Sequence, residues 1–317
     1  MIESDKNNYN DTYVSDDEID LRELFNVLWA AKKFIILITA IFAIGSVAYA
    51  LSLSNYYKSE SLLIVRSATD TQGLSQFSGL AAMAGVNLSP SGDDKAAQTI
   101  ELIKSRKFVK HLMNFEDILP SIMAAKSYDA ASQELLFDKK LYDADTQTWK
   151  RKPKKNGSII PSYLEAHEVY IDNMLSISQD KITGFISLNI EHISPLFAKE
   201  LLELIIRESN ELLRKKDMEE SRQGLGYLTS ESSKTPYVEI KQSINTLMEA
   251  QLETQMLAQI HQDYILIEIE PPFIPEKKSK PNRALICILI TMLGGILSLL
   301  IPLIRHYSFV EMEQVAK

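Results

Sequence analysis

Side chains able to do chemistry are present in this chain, but not in arrangements that do it. The histidines, His111, His167, His192, His261 and His306, never fall at the H-E-x-x-H spacing that puts two imidazoles on one helix face around zinc. The single cysteine, Cys287, sits inside an uncharged run, which excludes a thiolate site or a disulfide elsewhere. No G-x-x-x-x-G-K-[ST] loop offers its backbone N–H groups to a phosphate. No G-x-S-x-G elbow presents a nucleophilic serine. GLGYLT, Gly224 to Thr229, lacks the third glycine and the preceding strand of a dinucleotide fingerprint, and reads as a turn between helices. The paired carboxylates Glu219 and Glu220 lie among lysines and arginines at helical spacing, as on a solvated face. A net charge of −8 gives no footprint for nucleic acid. The expectation is a non-enzyme with no catalytic residues, no cofactor and no metal.

What the composition does specify is two long apolar runs. Ala284 to Ile304 carries no charge, and about 20 such residues span a bilayer at roughly 1.5 Å per residue. Only Thr291 and Ser298 are polar within it, too few for the wet face of a soluble core helix. Phe34 to Leu53 is the second run, with Lys32 and Lys33 before it. Ala48 to Ala50, AYA, imitates a signal-peptidase site. The run is longer than a signal core, however, and follows more than thirty residues of acidic tail (Asp16, Asp17, Glu18, Asp20), so an uncleaved anchor is expected. The lysines place the amino terminus in the cytoplasm by the positive-inside rule. Lys277, Lys278, Lys280 and Arg283 then lie outside, which a loop longer than about 60 residues tolerates.

The expected organisation is a cytoplasmic tail (1–33), a first membrane helix (34–53), a periplasmic α+β domain (54–283) ending in a proline-rich segment (271–281), a second membrane helix (284–304) and a cytoplasmic tail (305–317). Within the outer domain, YYKSESLLIVRS from Tyr56 suits a strand. The small-residue stretch Thr71 to Asp94 predicts a mobile loop with a short helix. Asp93 to Phe115 predicts one helix, and KRKPKKNGS, Lys150 to Ser158, a basic turn. EVYIDNMLSISQD and KITGFISLNIEHI predict a hairpin turning near Gly184. Ser194 and Pro195 start a helix as cap and first residue. Its stripe is Phe197, Leu201, Ile205 and Leu212, with Leu204 beside it. The pattern breaks from Gln223 to Pro236 and resumes as a helix from Val238 to Ile260. YILIEIEPPFIP then reads as a strand that pairs with the first one. The fold class follows: a membrane-proximal sheet with long protruding helices, between two transmembrane helices.

Three separated stretches resemble one family. EIDLRELFNVLWAAKKFIIL resembles the approach to the first span in the polysaccharide co-polymerases, the chain-length determinants called Wzz. TGFISLNIEHISPLFAKELLELIIRESNELLR is similar to their strand and proline-initiated helix. IEIEPPFIPEKKSKPNRALICILITMLGGILSLLI is similar to their proline-rich segment and glycine-containing second span. The resemblance implies a bacterial inner-membrane protein whose periplasmic domains form a ring-like homo-oligomer. It implies work with a Wzy-type polymerase on a polysaccharide chain or its lipid-linked intermediate, setting how many repeats a surface polymer receives. Without a phosphate-binding loop or tyrosine-rich tail the chain looks like the kinase-free type, which is mostly tied to the O-antigen of lipopolysaccharide, though capsule and exopolysaccharide systems use related proteins.

Residues carry two site expectations within that frame. Pro271, Pro272, Pro275 and Pro281 would make a stiff collar beside the membrane. Gly294 and Gly295 would let the second span approach another helix closely. A two-span sensor and an export adaptor for capsule or exopolysaccharide are the alternatives. The first lacks an output module, and the second lacks paired lipoyl-like halves.

Overall fold

The computed structural model describes residues 21–66, 92–153, 157–261 and 263–315. The expected loop from Thr71 lies outside them as far as residue 91, as do the acidic tail and residues 154–156 of the basic turn. The chain divides into two compact units, one of residues 1–53 with 282–317 and the other Ser54–Pro281.

The first unit is helical. Helix α1 covers Leu21–Ala30 and α2 covers Lys32–Ser52. The last helix of the chain, α9, covers Arg283–Val315, passing through Pro302 rather than stopping at Ile304. Lys32–Ser52 and Arg283–Arg305 are each long and apolar enough to cross a membrane.

The second unit mixes sheet and helix. Strand β1, Tyr56–Val65, is central to its main sheet. On one side it pairs antiparallel with β7, Ile186–His192, which pairs in turn with β6, Leu175–Gln179. On the other side it meets β8, Leu266–Glu270, and then β9, Lys278–Lys280. The first strand thus pairs with the last ones, and Tyr56 lies opposite Lys280. Along β7, Ile186, Leu188, Ile190 and His192 are buried and alternate with half-exposed residues, the period of a sheet with one covered face.

That face is covered by α7, Pro195–Lys234, through Ala198, Leu201, Leu202, Leu204, Ile205 and Ile206. Full burial of each such branched side chain is worth about 1.5–3 kcal/mol. Ser194 Oγ accepts the Phe197 N–H at 3.2 Å, and Pro195 occupies the first turn, as the sequence predicts. Helices α3 (Gly92–Lys104), α4 (Arg106–Leu112), α5 (Ile118–Ala124) and α6 (Tyr163–Val169) supply Ile103, Phe108, Leu112, Ile122 and Ala166 to the same core. Helix α8, Val238–Ile260, packs back along α7 as its hairpin partner.

Three local expectations need correcting. The predicted helix from Asp93 to Phe115 is two, because Ser105 adopts extended backbone and accepts the Phe108 N–H to cap α4. The predicted break at Gln223 is absent: α7 runs on through Gly224 and Gly226 to Lys234. Two glycines weaken a helix by about 1 kcal/mol each, but this stretch leans on α8, where Ser221 Oγ donates to the Gln251 carbonyl at 2.6 Å. Pro236 ends the helix instead, forcing Thr235 into extended backbone. Glu168 to Met174, expected as strand, is the end of α6 and a π-helical turn, Tyr170–Met174. Residues 125–149, which carry no predicted element, fold into two small hairpins, β2 (Ala125–Asp129) with β3 (Glu134–Phe137) and β4 (Tyr142–Asp143) with β5 (Thr148–Trp149).

Candidate functional site

The proline-rich segment occupies an unusual place in the sheet. Between Glu270, at the end of β8, and Lys278, at the start of β9, no residue joins the β1 ladder. Pro271, Pro272 and Pro275 have no N–H to give it. Side chains of β1 replace the missing bonds: Ser61 Oγ donates to the Glu270 carbonyl at 2.8 Å, and Ser59 Oγ donates to that of Phe273 at 2.7 Å. Both serines are buried on the core face. The result is a strap, residues 271–277, tied to the sheet by hydroxyls rather than by its own amides. Pro272 and Pro275 are buried, Pro271 is exposed, and Pro281 follows a cis peptide bond to Lys280.

Each end of the strap region has its own clip. At the start of β8, the side chain of buried Asn210 on α7 acts as a surrogate peptide. Its Oδ1 accepts the N–H groups of Ile265 (2.9 Å) and Leu266 (2.7 Å), and its Nδ2 donates to the Leu266 carbonyl at 3.0 Å. At the far end, Ser279 Oγ donates to Glu191 Oε1 at 2.6 Å, and Lys280 Nζ pairs with Glu191 Oε2. Glu191 belongs to β7, so this contact reaches across β1. Glu191 and Lys280 also wall a groove of about 360 Å³, with Tyr56, Asp172 and Asn173 over a floor that includes Ile122 and Met174.

Titratable groups near this region are structural in their surroundings. His192, at the end of β7, is buried; its Nε2–H donates to the Ser121 carbonyl at 3.0 Å and its Nδ1 accepts the Ser194 N–H at 3.1 Å. Burial pushes its pKa down to about 4. On α7, Glu203, Glu208 and Glu211 face Asp263 and Glu268 across a second groove, of about 480 Å³, that also holds Arg207 and Arg214. Burial, with repulsion from Asp263 and Glu203, raises the Glu268 carboxyl. Burial also raises the Tyr264 hydroxyl, and its hydrogen bond to Asp217 (2.8 Å) adds to this. Among the described residues no group of three or more His, Cys, Asp or Glu is placed to hold a metal.

In the helical unit, Gly294 lies against Phe42 of α2. A Cβ added at Gly294 would clash with Phe42 Cγ and Cβ, whereas one at Gly295 would meet nothing within 4 Å. Thr39 and Ser298 share a hydroxyl hydrogen bond at 3.3 Å between the same two helices. Small residues of this kind allow close helix approach in lipid. Gly294→Ala is therefore expected to push α2 and α9 apart and lower the thermal stability of the detergent-solubilised chain, with Gly295→Ala neutral. Equal melting for the two variants would contradict the placement of Phe42.

The sequence pointed to the four prolines and two glycines, and to the pairing of the first strand with the returning one. It did not single out Asn210, Glu191, Ser59 or Ser61. The serines alternate with Leu63 on one face of β1, a period visible in the sequence. Asn210 and Glu191 carry no comparable signal, because their partners lie 55 and more residues away.

Residues 17–115 match the family model described as chain length determinant protein. The chain is 34% identical over 107 residues to tyrosine-protein kinase etk of Escherichia coli strain K12, covering 33% of this chain and 14% of that relative. It is 36% identical over 91 residues to the same kinase from Escherichia coli O157:H7, covering 29% and 11%. The chain thus corresponds to about one-seventh of that first relative's length, and the kinase activity in the name is a property of that relative. Among solved structures, a full-length bacterial polysaccharide co-polymerase aligns with 91% of this chain and 98% of its own, at TM-score 0.40 and 11% identity. A fragment of WzzB, a polysaccharide co-polymerase from Salmonella Typhimurium, aligns with 71% and 100%, at TM-score 0.29 and 11% identity. Those scores are too low to carry an argument; the family model is the firm finding. Over residues 17–115, the chain is thus similar to the chain length determinant family.

Proposed function

We propose that this protein regulates the chain length of a surface polysaccharide, the O-antigen of lipopolysaccharide. In this reading it is a homo-oligomeric co-polymerase of the bacterial inner membrane, acting with a Wzy-type polymerase on the growing chain or its lipid-linked precursor. Residues 54–283 stand in the periplasm and both termini in the cytoplasm. The match of residues 17–115 to the chain length determinant family carries the proposal. Two helices of bilayer length bracketing one mixed unit support it.

Pro271, Pro272, Pro275 and Pro281 act here as a stiff collar, and Gly294 as a contact between spans. Deleting the gene and resolving the lipopolysaccharide on a gel tests the function. Loss of a preferred length is expected, with restoration by the intact gene. An unchanged ladder overturns the O-antigen reading. Restoring instead a chain with the four prolines replaced by alanine is expected to shift the preferred length while leaving the amount of membrane-inserted protein unchanged. An unshifted ladder from that variant removes the collar but not the function.

A further inference from the structure

We infer that Glu191 is a positioning residue: it clasps the outgoing end of the strap across the incoming strand and decides whether residues 271–280 stay on the sheet. The geometry is specific. Glu191 lies opposite Lys58 of β1, and β9 lies on the far side of β1. Neighbouring strands are about 4.8 Å apart, so β7 and β9 are separated by roughly 10 Å. A glutamate and a lysine, both extended, can close that gap; a side chain one methylene shorter falls short. Glu191 is 14% exposed and uses both carboxylate oxygens, one for Ser279 and one for Lys280. Ser279 Oγ also lies 3.4 Å from the Tyr56 carbonyl, so the three strands meet at one point.

Little else holds that end. The ladder between β1 and β9 comprises Tyr56 with Lys280 and Tyr57 with Lys278, and its register shifts between them. Upstream, the strap has no ladder bonds and depends on Ser59 and Ser61. The core under β7 and α7 is a separate matter, built from Leu188, Ile190, Leu201 and Ile205. Releasing Glu191 therefore frees the strap end without touching the core. Because Glu191 and Lys280 also wall the groove beside Tyr56, release opens that groove on one side. The clasp fixes the strap end on the sheet, and this inference stands whatever polymer the protein regulates.

Hydrogen–deuterium exchange of the full chain in detergent micelles tests this. Glu191→Ala is expected to raise exchange of the β9 amides, Lys278–Lys280, at least tenfold, while peptides covering Ile186–Ile190 and Leu201–Ile206 keep their protection. Glu191→Asp should behave like the alanine variant. Exchanging the charges, Glu191→Lys with Lys280→Glu, should recover most of the protection, which a merely space-filling role would not. Unchanged exchange over Lys278–Lys280 in both single variants overturns the clasp. So does loss of protection spreading to Leu201–Ile206, which would make Glu191 part of the general fold. Failure of either kind leaves the lipopolysaccharide result unaffected, so it can be told apart from failure of the functional reading.

Discussion

Asn210→Ala is expected to destabilise the mixed unit strongly. The amide makes three hydrogen bonds to backbone groups of Ile265 and Leu266, all in buried surroundings. Truncation leaves two N–H groups and one carbonyl without partners, and each buried orphan costs about 1–3 kcal/mol. Water entering the vacated space recovers part of that, so about 3 kcal/mol is the expected loss. At about 2–4 °C per kcal/mol for a unit of this size, the apparent melting temperature should fall by roughly 6–12 °C. Circular dichroism of the full chain in detergent measures it. Ser221→Ala serves as the contrast, since it removes one side-chain bond to the Gln251 carbonyl and should shift melting by no more than a few degrees. A fall for Asn210→Ala as small as that for Ser221→Ala would show that β8 does not depend on its clip.

The second large effect is a loss of stability in mild acid, traceable to His192. Burial holds its pKa at about 4, against an ordinary value of 6.5. The folded state keeps the ring neutral, with Nδ1 accepting from Ser194; protonation would turn that acceptor into a donor facing another donor. The unfolded chain takes up the proton more readily, so the contribution is fully present above pH 6.5 and is lost as the pH falls through 6.5 toward 4. The whole shift is worth about 3 kcal/mol at 1.36 kcal/mol per pH unit. About 2 kcal/mol of it should be gone at pH 5. Melting curves at pH 7.5 and 5 should show this drop in the parent chain, with a clearly smaller one in His192→Gln. Identical drops would mean that another group carries the acid sensitivity.

The elements legible in the sequence were those whose determinants are local. Ser194 and Pro195 mark a helix start within two residues, and α8 has the bounds its periodicity predicts because Pro236 precedes it and extended His261 follows. The hairpin turn is legible because Asp180 accepts the N–H groups of Ile182 and Thr183 while Gly184 takes a φ of +75°. Legibility failed where distant packing overrides local preference. Gly224 and Gly226 read as a break, yet the partner helix keeps α7 continuous. The strap shows both sides: its prolines announce that it leaves the ladder, but nothing near them in the chain announces Ser59, Ser61 or Glu191, which hold it in place.

Helix α7 has 40 residues, about 60 Å at 1.5 Å per residue. Its residues in the main core stop at Leu212. Beyond a smaller cluster that takes in Leu213, Met218, Tyr264 and Ile265, its neighbour is α8. The reach of this arm is therefore a free parameter. Whole turns can be removed from both limbs near Tyr237, or added there, without disturbing the root. Two chains with the same foundation can thus differ in span, and such changes are open to selection at little risk to folding.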